Sequence, residues 1–294
     1  MANTATSFLT NTQNPDGGWG YGLGQGSNVE ATAAVAVAAV ALASAGDPAM
    51  AALHGDAVAW LHAAQNADGG WGFARDDPQS GWMTAWAVLA LARASGATEA
   101  VDRGAAWLLR TQALDSGASA SAAELQQSKT LHGMDLTLRA WPWLPGQASF
   151  VEPSSMALWA LTGVPSSPAI RARVDQVVRY LVDRRCQPAG WNVGNPMMFS
   201  RSFPPRACPT AWTLLALAKA APEAIRPADI DALRADMRVD GGALALAWGL
   251  CALHALGQED AEARTRLAAL QQPDGGWNGS PYTTAVALMA GKSS

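Results

Sequence analysis

Two kinds of apolar segment alternate along this 294-residue chain. In the first kind, apolar residues fill a run almost without a break. Such runs begin near Glu30, Trp82, Glu152, Cys208, Gly242 and Tyr282. In the second kind, they recur only at helical spacing. From Val174 to Asp183, the residues Val174, Val177, Val178, Leu181 and Val182 form one stripe, and Asp175, Gln176, Arg179 and Asp183 occupy the other face. Val101–Gln112 follows the same rule through Ala105, Leu108 and Leu109, and weaker versions cover Ala5–Thr12, Ala57–Ala64, Pro227–Met237 and Asp260–Leu270. A helix that is apolar all round is buried on every side, whereas a striped one shows a face to water. Striped and wholly apolar segments in strict alternation predict an all-α fold of two concentric rings. This is an (α/α)6 toroid (barrel) of six helical hairpins, read as a single domain over residues 1–294. A straight solenoid needs polar end repeats, and none is visible. No period-two alternation speaks for strands.

Between the two kinds of segment lies a recurring turn. Gln13-Asn-Pro-Asp-Gly-Gly-Trp-Gly20 returns as Gln65-Asn-Ala-Asp-Gly-Gly-Trp-Gly72 and again as Gln272-Pro-Asp-Gly-Gly-Trp277, with a worn copy at Gln187-Pro-Ala-Gly-Trp191. The glycines suit positive φ after a helix. The tryptophan is expected to cover the helix ends, with Gln13 bonding backbone groups of the turn. These residues are read as staples between repeats rather than as ligand contacts. Most apolar runs carry Thr or Ser near their start, which is expected to cap free N–H groups there.

Composition narrows the function classes. The chain is 49% hydrophobic and 15% charged, with a formal net charge of -4 and no basic block, so nucleic acid is not an expected partner. Three scattered cysteines, Cys186, Cys208 and Cys251, fit a reducing compartment rather than a disulfide framework. With no secretory leader recognised at the N-terminus, the expected location is cytoplasmic. The most apolar run, Ala31 to Ala45, is shorter than the ~20 residues a membrane span needs. That leaves peripheral membrane contact open, and the sequence carries no signal for oligomeric state.

The Gln-x-x-Asp-Gly-Gly-Trp turns resemble the QW-like repeats of the squalene cyclase and protein prenyltransferase β-subunit superfamily. Trp141-Pro-Trp-Leu-Pro-Gly146, Phe150-Val-Glu-Pro153 and Gly190-Trp-Asn-Val-Gly-Asn195 are similar to single-domain bacterial prenyltransferase/squalene-oxidase repeat proteins. The resemblance spans the whole chain and implies an α/α toroid. It also implies terpene cyclase-like action on, or binding of, a polyprenyl or terpenoid molecule, with no cofactor. The implied chemistry is proton-initiated, class II-like cyclisation. Non-catalytic isoprenoid or lipid binding, and a protein-interaction scaffold with a filled lumen, are the alternatives.

Each chemistry of that superfamily implies residues to look for. Class II cyclases carry an Asp-x-Asp-Asp-Thr motif at the mouth of an inner helix. Here the matching segment is Phe150-Val-Glu-Pro-Ser154, which retains only the middle acid, Glu152, as the candidate proton donor. Glu30 holds the equivalent place in the first repeat, where an anion at a helix N-terminus is an equally good reading. The prenyltransferases carry Asp, Cys and His on zinc. Cys208 stands at the right helix start, but Arg206 replaces the Asp, and His254 lies on an inner helix near its far end. His54, His62 and His132 are elsewhere, so no metal site is expected. Aromatic side chains suit both carbocations and greasy ligands. Trp82, Trp86, Trp141, Trp143, Phe150, Trp159, Trp212, Trp248 and Tyr282 are therefore the candidate lumen contacts, alongside Glu30 and Cys208. The competing reading is that they fill the centre. Two excursions interrupt the repeat, Gln112–Gly146 and Asn192–Ala207, the latter with Met197, Met198, Phe199, Arg201 and Arg206. They are expected to border a mouth, where Lys129, His132, Arg139, Arg201 and Arg206 are candidate diphosphate contacts.

Overall fold

The computed structural model describes residues 2–43, 48–96, 98–114, 121–198 and 201–291. The end of the first apolar run, residues 115–120 of the first excursion, Phe199, and the side chains of His132 and Met198 lie outside the described residues. The outer, striped helices are α1 (Ala2–Asn11), α3 (Pro48–Ala63), α5 (Glu99–Arg110), α8 (Pro168–Asp183), α10 (Pro227–Asp240) and α12 (Ala261–Ala269). The inner, apolar ones are α2 (Val29–Ala43), α4 (Met83–Ser95), α7 (Val151–Leu161), α9 (Ala207–Ala220), α11 (Ala243–Ala255) and α13 (Pro281–Ala290). Inner helices pack against one another in the order α2, α4, α7, α9, α11, α13, and α13 packs back onto α2. The ring is closed, as the alternation of apolar segments predicts. One extra helix, α6 (Ala122–His132), stands in the first excursion. A two-residue ladder, β1 (Met197–Met198) with β2 (Arg201–Ser202), stands in the second and touches α6.

The turns explain the regularity. In the first, Gly18 N–H and Ser27 Oγ both bond Asp16 Oδ1 at 3.1 and 2.6 Å, and Gln13 Nε2 donates to Gly17 O at 3.0 Å. The other Asp16 oxygen accepts from Trp60 Nε1 of the next outer helix at 2.8 Å. The second turn repeats each bond through Asp68, Ser80, Gln65 and Trp107. Every turn tryptophan sends its indole N–H to a carbonyl of the outer helix before it: Trp19 to Leu9, Trp71 to Leu61, Trp191 to Leu181 and Trp277 to Leu267, at 2.6 to 2.8 Å. These tryptophans are buried, so the staple reading holds. In the last copy the glutamine in the staple position is Gln271, which bonds Gly275 O at 2.8 Å.

Two further copies are visible only in three dimensions. Trp141 bonds Leu108 O at 3.0 Å and is the turn tryptophan of the third repeat, displaced in sequence by the inserted α6. Between α10 and α11, Asp240-Gly-Gly242 keeps the Asp-to-Gly N–H bond at 3.2 Å but has lost its tryptophan.

Ser280 caps α13 by accepting from Thr283 N at 3.2 Å, but five other hydroxyls near the inner-helix starts bond the preceding turn instead. Thr32, Thr84, Ser154, Thr210 and Thr284 each accept the backbone N–H of a turn tryptophan, at 2.9 to 3.1 Å. The free N–H groups of the helices are taken instead by the neighbouring repeat. Val29 N donates to Phe73 O, Trp82 N to Trp143 O, and Val151 N to Val193 O, at 3.0 to 3.1 Å. The second, third and fourth repeats thus finish the helix start of the one before them. This geometry fixes what stands at the N-terminal mouth of the lumen.

Candidate functional site

The hydroxyl residues provide a common register for the inner helices. Two positions before each one stand Glu30, Trp82, Glu152, Cys208 and Tyr282, and Leu244 begins α11 at the corresponding level. These side chains ring the N-terminal mouth in the order of the helices. A second tier comes from the loops. Two positions after the turn tryptophans stand Tyr21, Phe73, Trp143 and Val193. Their carbonyls or neighbours are held by the inner-helix starts, which places their side chains on the rim. Phe73 and Val193 are 47% and 56% exposed, so the rim is apolar and open to solvent.

At the centre of this mouth lies a hydrogen-bonded acid. Glu30 is 5% exposed. Tyr21 Oη donates to its Oε2, and Tyr282 Oη donates to the same carboxyl. Trp248 Nε1 in turn donates to Tyr282 Oη at 3.3 Å. Burial lifts the Glu30 pKa to about 7, against the pull of the two hydroxyls, which favour the carboxylate. Glu152 is half-buried on the other side of Trp82. Its pKa is pushed up to about 8, first by burial and then by the charge of Glu30. The tyrosines Tyr21 and Tyr282 are raised by burial and then by Glu30. Burial, followed by the charge of Glu152, lifts the Cys208 thiol to about 12. Burial therefore favours the neutral form of every titratable group in the mouth, the thiol, the two phenols and the two carboxyls.

Aromatic rings close around these acids. Trp82 and Trp143 meet edge to face at 4.7 Å, and Phe150 lies 6.3 Å beyond Trp143. Tyr21 packs on Phe73 at 6.0 Å and on Tyr282 at 5.8 Å. Deeper in the lumen, Trp248 is fully buried and has Trp86, Trp159 and Trp212 around it at 5.8, 6.2 and 6.1 Å. The middle of the lumen is thus an aromatic plug, and the mouth lies above it.

Most residues expected from the sequence do converge. Glu30, Glu152, Trp82, Cys208 and Tyr282 share one tier, Trp143 and Phe150 flank it, and Trp86, Trp159, Trp212 and Trp248 form the plug. Trp141 does not belong with them. It is 2% exposed in the third turn, under the Arg173 guanidinium at 4.1 Å, and has no face on the lumen. Glu30 does stand in the first turn of α2, where burial works against its anionic form and the two tyrosine hydroxyls work for it. Tyr21 was not expected. Its only sequence signal is the constant offset of two from the turn tryptophan. Cys208 and His254 lie at opposite ends of the lumen, and among the described residues no three His, Cys, Asp or Glu side chains converge as metal ligands.

Both ends of the sequence match known family models. Residues 1–123 match the squalene-hopene cyclase C-terminal domain, and residues 240–291 match the prenyltransferase alpha-alpha toroid domain. Both models describe families built on this toroid, and the chain resembles them at its two ends. Among solved structures, the type II terpene cyclase MstE from Scytonema is similar over almost its full length. A variant in complex with geranylgeranyl dihydroxybenzoate, its substrate, is 17% identical, with a TM-score of 0.63. It covers 98% of this chain and 94% of that one. A variant in complex with the product merosterolic acid A is 18% identical, with a TM-score of 0.61 and the same coverage. The native conformation of E. coli alpha-2-macroglobulin is also similar, at 16% identity and a TM-score of 0.52, covering 98% of this chain but 16% of that one. The comparison with curated proteins finds no match. At these identities the likeness to solved structures is one of fold, and the same fold serves proteins as different as a cyclase and a macroglobulin. Among the described residues no helix is long and apolar enough to cross a membrane.

Proposed function

We propose that this toroid is a terpene cyclase-like protein that takes a polyprenyl or terpenoid molecule at its N-terminal mouth, with Glu152 as proton donor. The observation that carries this is the pair Glu30 and Glu152. Two carboxyls whose proton affinity reaches neutral pH or above stand in one aromatic mouth. A structural ring position needs no acid there, since Trp82 and Leu244 occupy equivalent places. The fold it shares with a type II cyclase that binds a prenylated aromatic acid agrees with the reading. The ring that closes α13 onto α2 supports one domain over residues 1–294. Three free cysteines support a reducing, cytoplasmic location.

In this mechanism Glu152 gives its proton to an acceptor lying across Trp82, Trp143 and Phe150. An acid of pKa about 8 is a weak donor, so the acceptor is an activated one: an epoxide oxygen rather than an isolated alkene. As the O–H bond forms, the C–O bond breaks and a neighbouring double bond attacks the cationic carbon, closing a ring. Aromatic faces around the mouth stabilise the cation, by up to ~2 kcal/mol each where water is excluded. Loss of a C–H proton to water ends the sequence. Negative charge on Glu30, favoured by its bonds to Tyr21 and Tyr282, raises the proton affinity of Glu152 and keeps that acid loaded.

The aromatic plug favours a second reading, in which the mouth binds an isoprenoid without turnover, because a long chain is not enclosed above Trp248. One experiment separates the two. Geranylgeranylated dihydroxybenzoate and its terminal epoxide are incubated with the protein, and extracts are analysed by mass spectrometry and NMR. A cyclised isomer that disappears in Glu152→Gln, while ligand binding persists, supports catalysis. Saturable binding with no isomer supports the second reading, and absence of binding removes both.

A further inference from the structure

The opposite end of the lumen is also open. Below the plug, the C-terminal halves of all the inner helices surround a cavity of about 380 Å3. Trp248 and Trp159 form its floor and one wall, and Val37, Leu215 and Met289 supply apolar sides. One full charge lines it, Arg93. Its guanidinium lies over the face of Trp159 at 4.5 Å, and among the described residues no carboxylate pairs with it. The apolar surroundings lower its pKa by desolvation, although solvent reaches it through the open end. Cys251 also lines the cavity, and its thiol is held neutral by burial, with a pKa of about 12.

We propose that this C-terminal mouth is a second binding site, for a small apolar molecule that carries one carboxylate. A solvent-reached guanidinium held against an indole face, with no carboxylate partner among the described residues, is free to bind a planar anion through two parallel N–H groups. Its contact with Trp159 holds the guanidinium at the cavity wall. His254 lines the same opening and adds a hydrogen-bond donor. The helix C-termini around the cavity repel an anion, so the charge that recognises the acid is that of Arg93. At roughly 30 Å3 per non-hydrogen atom, the space holds about a dozen such atoms, the size of a ten-carbon acid. The fully buried Trp248 separates this cavity from Glu152, so the inference does not depend on chemistry at the other mouth.

Decanoic acid and citronellic acid test the site, with decan-1-ol as the neutral counterpart, by isothermal titration calorimetry on the full chain. The expected result is one molecule of acid per chain, bound at least tenfold more tightly than the alcohol. Preference for the straight chain assigns a fatty acid, and preference for the branched one an isoprenoid acid. Arg93→Met is expected to lose at least tenfold in acid binding and to abolish the difference between acid and alcohol. Glu152→Gln is expected to bind the acid as the wild type does. Because Arg93→Met can also affect folding, a second variant, Arg93→Lys, keeps the charge without the planar fork and is expected to bind the acid more weakly than the wild type and more tightly than Arg93→Met. Failure of both acids to bind, equal binding of acid and alcohol, or equal acid binding by the wild type and Arg93→Met overturns the proposal.

Discussion

Replacing Glu30 by glutamine is expected to leave stability nearly unchanged at pH 5 and to raise it at pH 9. In the folded chain burial lifts the Glu30 pKa from 4.5 to about 7. The unfolded chain releases that proton near the ordinary value. Between those two points the native state binds more protons than the unfolded state, so stability falls as pH rises. The contribution of Glu30 is fully present below about pH 4.5 and is lost once pH has passed about 7. At about 1.4 kcal/mol per tenfold change in proton affinity, the displacement corresponds to roughly 3 kcal/mol. Glutamine has nearly the shape of the neutral acid and carries no charge to desolvate. Glu30→Gln is therefore expected to be more stable than the wild type by up to roughly 3 kcal/mol at pH 9, or about 5 °C in Tm for a chain of this length. Glu152 keeps a residual slope up to about pH 8, reduced because the charge of Glu30 is one cause of its rise. Urea denaturation followed by circular dichroism at pH 5, 7 and 9 provides the measurement. Parallel profiles for wild type and mutant across that range, within about 0.5 kcal/mol, would refute the assignment of Glu30 as a buried neutral acid.

The remaining predictions concern the same hydrogen bonds and the seam of the ring. Tyr21→Phe removes a donor that favours the carboxylate, so the pH at which the Glu30-dependent slope ends is expected to move upward; an unchanged midpoint would contradict the bond to Tyr21. Thr84→Val leaves the buried Trp71 N–H without its acceptor and is expected to cost about 1–3 kcal/mol in urea titrations. Gly17→Ala and Gly275→Ala share the strain of positive φ, roughly 1–2 kcal/mol. At Gly275 the new Cβ also lies 2.2 Å from the Thr4 carbonyl oxygen, whereas nothing is within 4 Å of it at Gly17. Gly275→Ala is therefore expected to be clearly the more destabilising, and equal losses would show that the chain ends do not close the ring as described.

The rings of helices were legible because burial imposes a period. An inner helix touches neighbours all round and tolerates no stripe, so the boundaries of α2, α4, α7, α9, α11 and α13 fall within a residue or two of the positions where the apolar runs begin. The mouth was legible for the same reason: Glu30, Trp82, Glu152, Cys208 and Tyr282 stand out as starts of those runs. What escaped reading depended on partners distant in sequence. Trp141 looks like a lumen residue because α6 separates it from Leu108, whose carbonyl it staples. Tyr21 stands in a glycine-rich loop, and nothing local shows that its hydroxyl reaches Glu30. The hydroxyls of Thr32 and Thr84 resemble helix caps, yet the N–H groups they accept lie 13 residues earlier in the turn.

The case for function rests on where the repeat departs from its own rule. The tier that holds Trp82 and Leu244 is satisfied by apolar side chains, and a carboxyl there costs desolvation that the fold does not need. Two repeats nevertheless carry one. Their surroundings neutralise them rather than pair them: no arginine or lysine is bridged to Glu30 or Glu152 among the described residues, although Arg185 is placed 3.1 Å from the buried Asp229 elsewhere in the same chain. The structural acids of this protein are given a cation, at Asp229, or several N–H and O–H donors, at Asp16 and Asp68, and the mouth acids are given phenols and each other. Local choices that work against stability mark the sites that a fold maintains for another purpose. Glu152→Leu makes that argument testable. If the acid serves function alone, the leucine variant is expected to gain stability at pH 8, as the desolvation cost disappears, and to lose any cyclised product. A loss of stability at pH 8 would show that Glu152 is built into the packing of the mouth, and would remove the reason for treating it as the proton donor.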